Sequence, residues 1–225
     1  MRAHTPESQA AITPRLALDF LREGNLRFVS NLRENRDLLK QANLTRDGQW
    51  PFATILSCID SRTSAELIFD QGLGDILSIR IAGNIVNTDI LGSMEFGCRV
   101  AGSRLVVVLG HSSCGAVKCA CDHVEMGNLT EVLAKLQPAV YQETSVSDPA
   151  LRNSSNVDFV ENVSRINVKR SVKAVIDRSY LLEKMIEQHA IGVVGGMHDL
   201  DTGLVEFYED TLVFETSDIH RLSVP

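Results

Sequence analysis

Two kinds of apolar pattern alternate along the 225-residue chain. Residues 52–57 (FATILS) and 104–110 (RLVVVLG) are short apolar runs bounded by polar or glycine positions. Such runs suit strands covered on both faces, as in a parallel sheet. Residues 76–81 and 191–197 read as two more strands, and the glycines of the second suit close backbone packing. Between the runs, apolar residues recur at helical spacing. Helices are predicted over 14–30, where Thr13 can cap and Pro14 fits the first turn. Others follow from Asn87 to about 100, over 116–121, over 130–142 with an interruption near Pro138, and over 158–188 as one long stretch. Thr63 and Glu66 have the spacing of a capping box, opening a helix whose Leu67, Ile68 and Phe69 face the sheet.

The ends of the chain read differently. Residues 1–12 look like an arm, and the charged stretch 31–49 like a solvated connecting face. Residues 198–203 form a polar turn that keeps His198 at the surface, and 204–208 return as the second strand of a hairpin. The alternation predicts an α/β fold with a parallel central sheet of about four strands flanked by helices. The hairpin adds an edge strand. One domain spans 1–225, with 1–30 as its N-terminal arm and helix.

Composition removes several function classes. The formal charge of -7 argues against nucleic acid, which needs a basic surface. No stretch approaches the length of a membrane span, and residues 1–7 lack an apolar signal core. Five cysteines, an odd number, argue against a disulfide framework and suit a reducing, cytoplasmic setting.

The candidate chemistry sits directly after two of the strands. Cys58-Ile59-Asp60-Ser61-Arg62 follows the first, and His111-Ser112-Ser113-Cys114-Gly115 follows the third. Parallel strands end on one edge of the sheet, where open α/β folds bind ligands. Cys58, His111 and Cys114 would converge there as a Cys2His set with the fourth position open, the pattern of a catalytic zinc. Arg62 stands two residues from Asp60 and would keep that carboxylate ionised and oriented. Cys119, Cys121 and His123 read as packing rather than further ligands.

With Ala82-Gly83-Asn84, these motifs resemble the signature of the β-class carbonic anhydrases, and the similarity runs from residues 24–28 to the glycines near 196. The resemblance implies one Zn2+ per chain on Cys58, His111 and Cys114, and reversible hydration of CO2 to bicarbonate and a proton. It assigns Asp60 and Arg62 to orienting the reacting water. It places Gln49, Leu77, Ala82, Phe96 and Gly115 in the walls of the substrate pocket. Because the family builds that pocket across subunits, it implies a homodimer or tetramer. In some relatives Asp60 would leave Arg62 for the metal in a closed state. The subgroup that locks this state with bicarbonate carries Trp three residues before the first Cys, where this chain has Ile55, although Arg80 is kept. The expectation is therefore no such lock and an open site above about pH 8, near the unperturbed thiol range. Two thiolate ligands make the metal's water less acidic than three imidazoles would, so activity should favour mildly alkaline pH. Two alternatives remain: hydrolysis of carbonyl sulfide or carbon disulfide, and a zinc-binding scaffold without catalysis.

Overall fold

The computed structural model describes residues 4–219 and residue 222. Five strands, β1 (Ala53–Ser57), β2 (Ile76–Arg80), β3 (Leu105–His111), β4 (Gly192–His198) and β5 (Val205–Phe207), form one sheet in the order β2-β1-β3-β4-β5. The first four are parallel and β5 runs antiparallel to β4. The helices are α1 (Pro6–Ala10), α2 (Pro14–Val29), α3 (Leu38–Leu44), α4 (Ala65–Ile68) and α5 (Thr88–Glu95). They continue as α6 (Gly115–Cys121), α7 (Leu129–Gln142), α8 (Val157–Arg178), α9 (Tyr180–Glu187) and α10 (Thr216–Ile219).

Strand register explains the apolar runs. Ile55, Val107 and Val194 are register partners, so they share one face of the sheet and pack under α2 and α4. Leu56, Val106, Val108 and Val193 point the other way, onto α5, α8 and α9. Both faces of β1 and β3 are thus dry, and each fully buried Val, Leu or Ile contributes about 1.5–3 kcal/mol. β2 lies at an edge and alternates between covered and accessible positions. A third cluster, built from α6, α7 and the start of α8, encloses Cys58 and Cys114.

Glycines set how closely the layers approach. A Cβ on Gly195 would meet Val168 at 2.7 Å, and one on Gly110 would meet the same valine at 2.6 Å. These two positions let α8 lie directly on β3 and β4. Gly24 sits inside α2 because a Cβ there would fall 1.8 Å from the carbonyl oxygen of Phe69.

Several local expectations are corrected. Thr63 does not cap α4: Ser64 is the N-cap residue, and the Thr63 hydroxyl donates to the carbonyls of Cys58 and Asp60. That helix has only 4 residues, and Leu67 is exposed rather than on the sheet. Pro138 lies inside α7 without interrupting it. The long stretch 158–188 breaks at Ser179, whose hydroxyl accepts from the Leu182 amide and starts α9. Within 1–12, Met1–Ala3 lie outside the described residues, but α1 buries Gln9, and Ile12 joins the core. The 31–49 segment contains α3, and its Arg36 is nearly dry, paired with the buried Asp70. That pair was invisible to local patterning because its members are 34 residues apart.

Candidate metal centre

β1 and β3 are adjacent, so Cys58 leaves the sheet beside Gly110, one residue before His111. Ser113 adopts a left-handed conformation (φ 55°), which turns the chain back and sets Cys114 at the N-cap of α6. This loop is anchored at three points. The Ser113 amide donates to Glu161 Oε1 (2.8 Å), the Ser112 amide to the His198 carbonyl (2.9 Å), and the Leu200 amide to Ser112 Oγ (2.9 Å).

One ligand-type atom from each of Cys58, His111 and Cys114 lies within 4.8 Å of the others, and all three residues are buried. The two sulfurs are 4.0 Å apart. Nδ1 of His111 is hydrogen-bonded to the Ser112 carbonyl (2.9 Å), whereas its Nε2 is buried with no partner among the described residues. A buried, orphaned imidazole nitrogen beside two sulfurs is costly without a ligand to satisfy it. The donor set fits a metal that accepts nitrogen and sulfur. Gly83, at φ 66° in the Ala82–Asn84 turn, donates its amide to Cys58 Sγ (3.3 Å).

Electrostatics concentrate negative charge at the first cysteine. The hydrogen bond from Cys114 lowers the Cys58 thiol most, and His111 and two backbone amides add to this against burial. The bond to Cys58, together with burial, pushes Cys114 up. The two sulfurs share a hydrogen bond, and a metal held by both would displace its proton.

Asp60 and Arg62 form a bidentate pair: Nε donates to Oδ1 (2.9 Å), Nη2 to Oδ2 (2.8 Å), and the Arg62 amide adds a third bond to Oδ1 (2.9 Å). Hydrogen bonding to Arg62 holds the Asp60 carboxyl well below the usual carboxylate range. Arg80 supports the same loop, with Nε on the Cys58 carbonyl (3.0 Å) and Nη2 on that of Asp60 (2.5 Å).

The other candidate residues are more dispersed. Ala82 adjoins Gly83 and is half-buried, Gly115 opens α6 at an exposed position, and Gln49 is exposed. Leu77 and Phe96 share an open cleft of about 640 Å³ beside β2, and none of Cys58, His111 and Cys114 lines it. Cys121 is buried and Cys119 half-buried, both in or against the third cluster. His123 is not packed inside: it is exposed, its ring 6.5 Å from that of Tyr141.

His198 departs most from expectation. It is buried (3 % exposed), opposite His111 in the β3–β4 register, with both ring nitrogens unpartnered among the described residues. Burial pushes its pKa down to about 4, and His111 adds to this, so the ring is neutral near pH 7. Sequence patterning missed it because the pairing with β3 involves residues 87 positions away. Glu161 was likewise missed, having no local signal.

A parallel α/β sheet with a buried Cys2His cluster at its carboxyl edge defines a class of metalloprotein with a site built for chemistry. Residues 53–205 match the family model described as carbonic anhydrase. "Carbonic anhydrase 2" of Mycobacterium tuberculosis is 34% identical over 197 residues, covering 84% of this chain and 90% of that protein. Among solved structures, the β-carbonic anhydrase CafA of Aspergillus fumigatus superposes with a TM-score of 0.68 at 25% identity, covering 82% of this chain and 86% of that one. A structure described as one of two tetrameric β-carbonic anhydrases from Sordaria macrospora gives 0.66 at 23% identity, covering 74% and 85%. The chain belongs to the β-class carbonic anhydrase family, and it is an enzyme of that class.

Proposed function

We propose that the enzyme hydrates CO2 reversibly to bicarbonate and a proton, with one zinc ion held by Cys58, His111 and Cys114. The observation that carries this reading is the unpartnered, buried Nε2 of His111 in a cluster with two sulfurs. Two sulfurs and one imidazole suit zinc, and three protein ligands leave a tetrahedral position open. Zinc bound there supplies Lewis acidity, which lowers the pKa of a water beside the substrate.

The chain's own residues do the rest. Asp60, kept ionised by Arg62, can only accept a hydrogen bond. It takes the O–H of the reacting water and turns a lone pair toward the carbon of CO2. Arg62 fixes the carboxylate through three bonds, so this geometry needs no rearrangement during the reaction. Ile85 and Val117, buried with Cys58 and Cys114, give an apolar surround that suits CO2 and excludes bulk water. Gly83 holds the Cys58 sulfur by its amide.

Stopped-flow CO2 hydration on protein of measured zinc content tests the proposal. Asp60→Asn should keep one zinc per chain yet hydrate CO2 about 100-fold more slowly, the scale of one lost oriented contact. Full activity in that variant contradicts the role given to Asp60. Turnover of carbonyl sulfide, measured in parallel, should be the slower of the two.

The pocket walls are completed, in this proposal, by assembly. Phe96 (53 % exposed) lies with Leu77 in the open cleft beside the edge strand β2 and leaves an apolar face there. A second copy seated there would bring Leu77, Phe96 and Gln49 toward a neighbouring metal centre, with Ala82 and Gly115 contributed in place. Sedimentation at micromolar concentration should show a dimer or tetramer, and a fully active monomer contradicts the assembly. All five cysteines are free, which supports a reducing compartment such as the cytoplasm. Among the described residues, no helix is long and apolar enough to cross a membrane.

A further inference from the structure

A smaller cavity, about 180 Å³, lies along α8 with Ile85 and Val86 on its wall. Its charge sets it apart. Lys135, Arg170 and Arg178 line it, and no carboxylate does. Among the described residues, none of these three cations forms a salt bridge. The larger groove beside Tyr208 is different, because its Arg165 and Lys169 are paired with Glu206 and Asp210.

The sequence dictates this arrangement. Arg170, Ala174 and Arg178 are spaced four apart, so they share one face of α8. Ala174, small and central, leaves room between the two guanidinium groups. Each guanidinium is held at one end, Arg170 Nη1 on Gln142 Oε1 and Arg178 Nη1 on the Val86 carbonyl (3.1 Å). Anchored arginines present their remaining N–H groups without a large ordering cost, and their planar fork suits oxyanions. Asn167 and Ser171, both buried, add polar groups to the same wall. Three uncompensated cations around a small space repel one another unless an anion joins them. The volume is several times the ~30 Å³ share of a water molecule, enough for a tetrahedral oxyanion.

We propose that this cavity is a second anion site, separate from the metal centre, that takes a phosphate-type dianion. Three cations match a dianion better than a monoanion such as bicarbonate. The ligand is inorganic phosphate or the phosphoryl group of a small phosphomonoester.

Isothermal titration of inorganic phosphate into the zinc-loaded full-length protein at low ionic strength tests this. The expected result is one phosphate per chain, with affinity falling as salt is added. Lys135→Glu and Arg170→Gln should each weaken binding about tenfold or more, the scale of a charge-assisted contact. Lys135 is exposed, so its variant keeps the test valid should Arg170→Gln fail to fold. Cys114→Ser should bind phosphate as the wild type does, which separates this site from the metal centre. Glycerol 3-phosphate in a parallel titration assigns the source: tighter binding than phosphate indicates a phosphomonoester, equal or weaker binding the free ion. Unchanged affinity in Lys135→Glu, loss of binding in Cys114→Ser, or no binding at millimolar phosphate overturns the proposal.

Discussion

Cys114→Ser is expected to lower bound zinc from one ion per chain to a small fraction, and CO2 hydration falls with it to near the uncatalysed rate. A serine hydroxyl stays protonated near neutral pH and offers no thiolate to the metal. Loss of an outer partner of a metal ligand already costs 10–100-fold in affinity, so loss of a ligand itself should exceed about 100-fold. The substitution is otherwise mild. Cys114 is 1 % exposed, packed in the cluster of Val117, Leu136 and Phe159, and serine nearly matches its shape. Far-UV circular dichroism should therefore show an intact fold. Zinc content by atomic emission and CO2 hydration by stopped flow should fall together. Wild-type zinc occupancy in the variant would sink the assignment of Cys114 as a ligand.

The second large effect is on stability. Asp70→Asn should destabilise the fold by about 3–5 kcal/mol, the range for breaking a buried ion pair. For a chain of this size that lowers Tm by roughly 10 °C. The Asp70 side chain is only 3 % exposed and joins α2 to the segment before α3. Arg27 Nε donates to Oδ2 (2.6 Å), Arg36 Nη1 to Oδ1, and the Glu34 amide to Oδ2 (3.3 Å). An amide in its place leaves Arg27 without its counter-ion and the nearly dry Arg36 with only Glu34, 3.5 Å away. Asparagine tolerates the left-handed backbone at this position (φ 44°), so the loss is one of charge rather than conformation.

The sign with pH follows from the same contacts. Burial acts to raise the Asp70 pKa, but hydrogen bonds from Arg27 and Arg36 outweigh it and hold the group low. A carboxylate lowered on folding contributes fully above its unfolded pKa, about 3.9, and loses that contribution as pH falls through the folded value. Denaturant titrations should show a constant gap between wild type and variant near pH 6–8, narrowing below about pH 4. A gap that stays constant into acid would contradict the ion-pair account.

How much was legible in the sequence depends on the range of the interaction. β1 and β3 were readable because both their faces are covered, which leaves an unbroken apolar run. The grouping of Cys58, His111 and Cys114 was readable because each stands within a few residues of a strand end. The left-handed turn at Ser113, which places Cys114, is local as well. His198 was not readable, since its burial comes from pairing with β3 and its polar neighbours suggest a surface turn. Arg36 failed for the same reason: its local company is charged, and its partner lies on another segment. Thr63 carried a true local signal, the spacing of a capping box, but the tertiary demand of the Cys58 loop claimed its hydroxyl.

α8 also serves as a common mount. Asn167 donates to the carbonyl of Gly83, the residue whose amide reaches Cys58 Sγ, and Glu161 holds the amide of Ser113. The same helix rests on Gly110 and Gly195 through Val168. A methyl group added at either glycine would tilt or lift the whole helix and disturb both turns of the metal centre together. Substitutions at Gly110, Gly195, Asn167 and Glu161 are therefore not independent events. Each changes the background against which the others act, so drift at these four positions is constrained as a set rather than one site at a time.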